Sequence, residues 1–328
     1  MHLFLTGATG FLGYHTARRL SEKAYRLSGL VRTTSRHNEL KPFGFEPLFG
    51  DLQHPHPTLS NHLETVDCVI HIAGQIKALH PQEFYQVNVE GTRHLIDAIL
   101  KCKKMPKRLI HISTLAVHHP SRDGEDFCLD PHQCHPLSHY GKSKCEAEKE
   151  LERLKGKIQV FTLRPPVLYG PRDFELFPMF KATQNHFAPV YSWGKNRLSV
   201  CYIEDVAEAI LNLVETSLSS DEIFCLDDGN DYSWKELIQI ISQVLQKRAW
   251  IAPIPPFLFY PAALITQAFA QLTRRPNIFS INKIKEMAEP RWFCGSQKIQ
   301  KQLGWKAKID FKEGAKRTLE YYRNEHLL

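Results

Sequence analysis

A tyrosine and a lysine stand four residues apart in YGKSK at 140–144, a spacing that places both side chains on one face of a helix. An ammonium held beside a phenol lowers the phenol pKa from about 10 toward neutrality. Tyr140 is then expected to give a proton to a carbonyl, or take one from an alcohol, with Lys144 as its partner. Such chemistry also moves a hydride, and a carrier for it is implied by a second motif, TGATGFLG at 6–13. An isolated YxxxK can equally be an exposed helix face; the two motifs together point to an enzyme.

In the second motif, Gly7 permits a tight turn from strand to helix, Gly10 lets the backbone approach a pyrophosphate, and Gly13 lets the helix pack on the strand. Thr9, Phe11 and Leu12 complete the turn, whose helix N-terminus offers free N–H groups and a positive dipole to an anion. The spacing is GxxGxxG, not GxGxxG. A ribose 2′-hydroxyl is usually met by an acid about 20 residues further on, yet Arg32 stands there with Arg36 behind it. Arginine pairs with a 2′-phosphate, so NADP(H) is the expected cofactor and NAD(H) the alternative; solvated surface arginines are the plainer reading. Asp51 and Leu52, after Gly50, fall where a third strand ends, either flanking the adenine or simply making a turn.

Short apolar runs alternate with amphipathic stretches from HLFLT at 2–6 to IQVFTLRP at 158–165. This strand–helix alternation predicts an α/β fold with a doubly wound parallel sheet. RLIHIST at 108–114 ends in hydroxyls at the sheet's carboxyl edge, where open α/β folds bind ligands. Of the two, Thr114 is preferred over Ser113 as the group that fixes the substrate oxygen, although such hydroxyls also cap turns. The expected organisation is a dinucleotide-binding domain over 1–170, rejoined by 199–226, and a smaller substrate lobe from 171–198 and 227–328.

Composition excludes several classes. With 43% hydrophobic and 23% charged residues the chain reads as a soluble globular protein. A formal charge of +7 without a block of like charges favours anionic small ligands over nucleic acid. Eight cysteines without CxxC spacing indicate free thiols in a reducing compartment, and no metal site is expected. The first strand begins at His2, which argues against a signal peptide and for a cytoplasmic location. Residues 249–273 are uncharged, but prolines at 253, 255, 256 and 261 should leave only about 12 residues of helix, too few to span a bilayer. A lid or substrate wall is preferred there; membrane contact would be at most interfacial, through 257–273.

The ordered set TGATGFLG, GDL (50–52), HIAG (71–74), NVEGT (88–92), STLAV (113–117), YGKSK, LRPPVLYGP (163–171) and YIEDVAEAI (202–210) resembles the extended short-chain dehydrogenases/reductases, also called the NAD-dependent epimerase/dehydratase family. The resemblance covers nearly the whole chain and implies a Rossmann-type fold. It implies Tyr140 as general acid/base, Lys144 also on the nicotinamide ribose, and Thr114 on the reacting oxygen. Ala73 and Gly74 would line the cofactor, Asn88 would support the strand ends, and Arg164-Pro165 would lead the chain past the nicotinamide. Relatives often form homodimers, which is the default expectation.

Departures from the pattern bear on the substrate. Sugar-nucleotide dehydratases usually follow the first Ser-Thr with Asp-Glu, whereas Leu115-Ala116 follow here and transfer no proton. Val117-His118-His119 replaces a frequent VYG, either altering a substrate contact or serving as plain loop. Arg291-Trp292-Phe293 and LRPPVLYGP are similar to the branch with dihydroflavonol reductases and 3β-hydroxysteroid dehydrogenases, and the apolar 257–272 suits a hydrophobic substrate. The leading expectation is carbonyl–alcohol interconversion on a fairly apolar small molecule; a nucleotide-sugar epimerase with tightly bound NAD and a non-catalytic NADP sensor are the alternatives.

Overall fold

A computed structural model describes residues 1–120, 134–191, 193–274 and 281–328. Numbered in chain order, its strands are β1 His2–Thr6, β2 Arg26–Val31, β3 Glu46–Phe49, β4 Cys68–His71, β5 Arg108–Ile112, β6 Gln159–Arg164, β7 Val167–Tyr169, β8 Phe187–Tyr191, β9 Arg197–Leu198, β10 Val200–Tyr202, β11 Glu222–Cys225, β12 Tyr232–Ser233, β13 Trp250–Ile254 and β14 Arg291–Trp292. The α-helices are α1 Phe11–Ser21, α2 Thr34–Asn38, α3 Leu59–Leu63, α4 Pro81–Tyr85, α5 Gly91–Leu100, α6 His139–Leu151, α7 Phe177–Gln184, α8 Ile203–Glu215, α9 Trp234–Leu245, α10 Pro256–Thr273, α11 Ile281–Ala288, α12 Gln297–Leu303 and α13 Phe311–Asn324.

Seven strands form one sheet in the order β11-β6-β5-β4-β1-β2-β3, and every neighbouring pair is parallel. The short central strands are largely apolar and, apart from Arg108 at the start of β5, buried, as expected of a sheet covered on both faces. One face is filled from β1, β2, β5, β6, α1 and α8, with Leu3, Leu5, Ile110, Phe161 and Ile210 in contact; the other carries Phe4, Val69, Leu95, Ile99 and Leu109. Strand order reverses between β1 and β4, so a crevice opens there at the carboxyl ends. The remaining strands make small separate sheets: β10 with β7, β12-β9-β14, and β13 with β8.

The proline-rich segment departs from expectation. α10 runs for 18 residues, straight through Pro261, instead of about 12. Pro261 is exposed and lies in the second turn of the helix, and Phe257, whose carbonyl its ring leaves without a donor, is itself an exposed residue. Among the described residues no helix is long and apolar enough to cross a membrane. The described cysteines are free thiols; Cys128 lies outside the described residues.

Candidate active site

Gly7 ends β1 at φ +73°, a conformation that L side chains rarely adopt, and an added Cβ would stand 2.6 Å from the Ala73 backbone N. The turn then enters α1, where Gly10 caps without a side-chain bond and no acid lies in the first turn. A Cβ on Gly13 would meet the Gly7 carbonyl at 2.1 Å, so helix and turn touch backbone to backbone. Free N–H groups at the start of an 11-residue helix, beside a backbone that only glycine allows, suit a pyrophosphate. Thr9 and Phe11 are part-buried beside them and Leu12 is buried.

The β4 end is fixed by a proton-ordered chain. Thr92 Oγ1 donates to the Asn88 carbonyl (2.6 Å), so His71 Nε2–H must donate to Thr92 (2.9 Å) and His71 Nδ1 must accept from Thr6 Oγ1 (2.7 Å). Thr6 in turn accepts from the Ala73 N–H at 3.2 Å. Burial holds His71 neutral, with its pKa lowered to about 3. Asn88 spans the next gap: its Oδ1 accepts from Gln75 N (2.7 Å) and its Nδ2 donates to Ser143 Oγ (2.9 Å). It thus ties the loop that carries Ala73 and Gly74 to α6.

Helix α6 starts at Ser138, whose hydroxyl accepts from Gly141 N at 3.1 Å. A Cβ on Gly141 would lie 2.2 Å from the Ala116 carbonyl. That contact draws α6 against the segment after β5 and sets Tyr140 beside Thr114. Thr114 Oγ1 accepts from Ala116 N at 3.2 Å, which leaves its O–H to donate to the phenol, the contact that favours the phenolate. Phe84 lies 6.1 Å from the Tyr140 ring, centroid to centroid. Gly141 was not singled out from the sequence, although a glycine inside a helical motif is a signal of close backbone approach.

The expected phenol–ammonium effect takes another form. Lys144 Nζ donates to the Ile112 carbonyl at 2.6 Å and lies 3.5 Å from His111 Nε2. Burial brings its pKa down to about 8, against the pull of Glu148. The Tyr140 phenol is pushed up by burial, with Thr114 opposing and Glu175 and Glu286 adding to the rise. The tyrosine is therefore a held proton donor, not a lowered phenol. Beneath it, Arg164 is 1% exposed and bonded to Glu148 at 2.5 Å and to His118 Nε2 at 2.9 Å. His118 is thus an inward structural partner, and a buried guanidinium–carboxylate pair joins β6 to α6.

Other sequence-derived residues sit further out. Arg32 is exposed at the end of β2, and Arg36 pairs with Glu39 at 3.7 Å. Asp51 Oδ1 accepts from His54 N at 2.8 Å, a turn contact, while Leu52 is buried and its carbonyl bonds His94 Nδ1 at 2.6 Å. The Pro165 carbonyl accepts from Leu115 N at 2.8 Å, tying β6 to the segment after Thr114. Ser113 Oγ is buried without a partner among the described residues. No cluster of metal-ligating side chains occurs among them.

The model of the NAD dependent epimerase/dehydratase family matches residues 3–225, more than half of the chain. The chain belongs to this family. Within it the chain is an enzyme of the extended short-chain dehydrogenase/reductase type, and a nicotinamide cofactor goes with the family. A ceramide reductase of Caulobacter vibrioides is 28% identical over 322 residues, covering 97% of this chain and 93% of the relative. A 4-hydroxy-2-methyl-3-oxo-4-farnesyl-3,4-dihydroquinoline-1-oxide ketoreductase of Stigmatella aurantiaca is 25% identical over 263 residues, covering 78% and 76%. The structure of the Thermus thermophilus UDP-glucose 4-epimerase with NAD aligns at a TM-score of 0.78 and 20% identity, covering 98% of this chain and 99% of that one. At that identity the likeness is one of fold.

Proposed function

We propose that the enzyme is an NADP(H)-dependent reductase that interconverts a carbonyl and an alcohol on a fairly apolar small molecule. The observation that carries the reading is the set of groups around Thr114: a proton-bearing Tyr140 beside it, a buried amine one helical turn on, and then Leu115-Ala116, neither of which transfers a proton. The pair supports one proton transfer to one oxygen; a dehydratase needs more. Two relatives named for reductions, one of ceramide and one of a farnesyl-bearing quinoline, agree with an apolar substrate.

In the proposed reaction a nicotinamide, when bound, would supply the hydride chemistry, and the residues of this chain would hold the substrate oxygen and move its proton. Thr114 donates a hydrogen bond to the carbonyl oxygen, and Tyr140 passes its phenolic proton to that oxygen as the alcohol forms. Lys144, cationic below its pKa of about 8, stabilises the phenolate left behind and holds the nicotinamide ribose. Gly7, Thr9, Gly10, Phe11, Leu12 and Gly13 would carry the pyrophosphate. Exposed Arg32, with Arg36, would meet a 2′-phosphate where NAD enzymes place an acid. The lobe of 171–198 and 227–328 would receive the substrate.

The reading is tested with NADPH and a panel of ketones and aldehydes of increasing alkyl length, following nicotinamide absorbance. Tyr140→Phe should lower turnover by roughly 10²–10⁴-fold and leave nucleotide binding intact; turnover that survives the change refutes the mechanism. The nucleotide-sugar epimerase stays as a second reading because the family whose model matches this chain is named for epimerases; it requires NAD that copurifies and turnover of UDP-sugars.

A further inference from the structure

Among the described residues, helix α10 turns one apolar face to the protein and leaves another outward. Phe259 and Ala263 pack with Tyr191, Ile284 and Met287, and Ala270 is buried further along the same face. On the other side, at helical spacing, Phe257, Leu264, Ile265 and Leu272 are 69%, 57%, 69% and 82% exposed. Trp193, 68% exposed, follows Tyr191, whose ring lies 5.1 Å from that of Phe259. Isolated exposed apolar residues are ordinary, but an outward stripe along a whole helix marks a contact surface.

Charge says which surface. From Leu237 to Lys285 the sequence holds no Asp or Glu, and it holds six basic residues: Lys247, Arg248, Arg274, Arg275, Lys283 and Lys285. The uncharged run from Ala249 to Thr273 is thus bracketed by Lys247-Arg248 and Arg274-Arg275. A second copy docked through the same patch would set these like charges against one another, whereas anionic headgroups complement them and take aromatic and aliphatic side chains at the acyl boundary.

The stripe also adjoins the chemistry. α10 packs on α11 through Ala263 and Ile284, and Glu286 of α11 lies near enough to Tyr140 to raise its phenol. We propose that α10 seats the enzyme on the surface of an anionic lipid bilayer, with the outward stripe at the acyl boundary, so that an apolar substrate reaches Tyr140 from the membrane. The seating stands by itself; the delivery of substrate rests on the reductase reading.

The test is cosedimentation of the full chain with vesicles of phosphatidylcholine, with and without phosphatidylglycerol. The chain should pellet with the phosphatidylglycerol vesicles, less so at high salt. The double variant Ile265→Glu/Leu272→Glu should partition at least ~10-fold more weakly, with its thermal melt and its nucleotide titration unchanged. A chain that stays in the supernatant, or a double variant that binds equally well, overturns the proposal. So does a dimer in analytical ultracentrifugation that the double variant splits while neither form binds vesicles. No step of this assay involves turnover; reduction of a water-soluble ketone tests the reductase reading apart from it.

Discussion

The crevice between β1 and β4 and the outward face of α10 are built on opposite principles. Around Lys144, buried polar groups are held by short contacts, with Ser113 Oγ and His111 Nδ1 left unpaired among the described residues, the backbone contacts at Gly13 and Gly141 admit no Cβ, and a buried ion pair ties β6 to α6. On α10, large apolar side chains stand in solvent on a helix without a charge. The first region is built from buried polar groups of one chain, and the second presents apolar surface that an outside contact would cover, so buried polar groups locate the chemistry and unmet apolar surface locates the proposed contact.

The contrast is broken most sharply at Glu148. Glu148→Ala leaves the Arg164 guanidinium, 1% exposed, without its carboxylate, and should cost about 3–5 kcal/mol in urea unfolding. Leu272→Glu, at a position 82% exposed, should stay within about 0.5 kcal/mol. Equal losses at the two sites would erase the distinction.

Acid should reach the same interior next. His15 and His71 are held neutral by burial, with pKa values lowered from 6.5 to about 4 and about 3, and His111 is lowered well below 6.5 as well. Unfolded imidazoles take protons near pH 6.5 while the folded ones do not, so the unfolded state binds more protons in this window. Stability is full above about pH 6.5 and drains below it, by roughly 1 kcal/mol per histidine at one pH unit lower. Melting temperatures from pH 7.5 downward measure this; a flat profile to pH 5 would contradict the neutral network.

A smaller effect sharpens the chemical side. Lys144 loses its proton near pH 8 because burial disfavours the ammonium, so kcat/KM for ketone reduction should fall as pH rises through about 8, about tenfold per unit beyond it. The phenol stays protonated throughout, being raised. A rate that is level from pH 7 to 10 would remove Lys144 from the protonation step.

The sheet and the glycine turn were legible because each rests on a local rule: short apolar runs, a glycine where the backbone must turn, alternation with amphipathic stretches. Thr114, Tyr140 and Lys144 were legible as types and spacings. Their electrostatics were not, because the fate of the Lys144 ammonium depends on the Ile112 carbonyl, which only the packing of α6 on β5 brings within 2.6 Å. His118 is open in sequence between a substrate contact and plain loop because the partner it turns inward to meet, Arg164, is 46 residues away. The local rule ends a helix near Pro261 because a helical proline removes a hydrogen bond and crowds the carbonyl four residues back; whether the chain tolerates both depends on exposure, a tertiary property.

The most direct test of the central claim is a paired titration of the purified, cofactor-stripped protein with NADPH and NADH, read by nicotinamide fluorescence, beside Arg32→Asp. Tenfold or stronger preference for NADPH, about 1.4 kcal/mol, which Arg32→Asp erodes, is the predicted result. Copurified NAD, with equal affinity for the two nucleotides and no response to Arg32→Asp, would contradict it and place the epimerase ahead of the reductase.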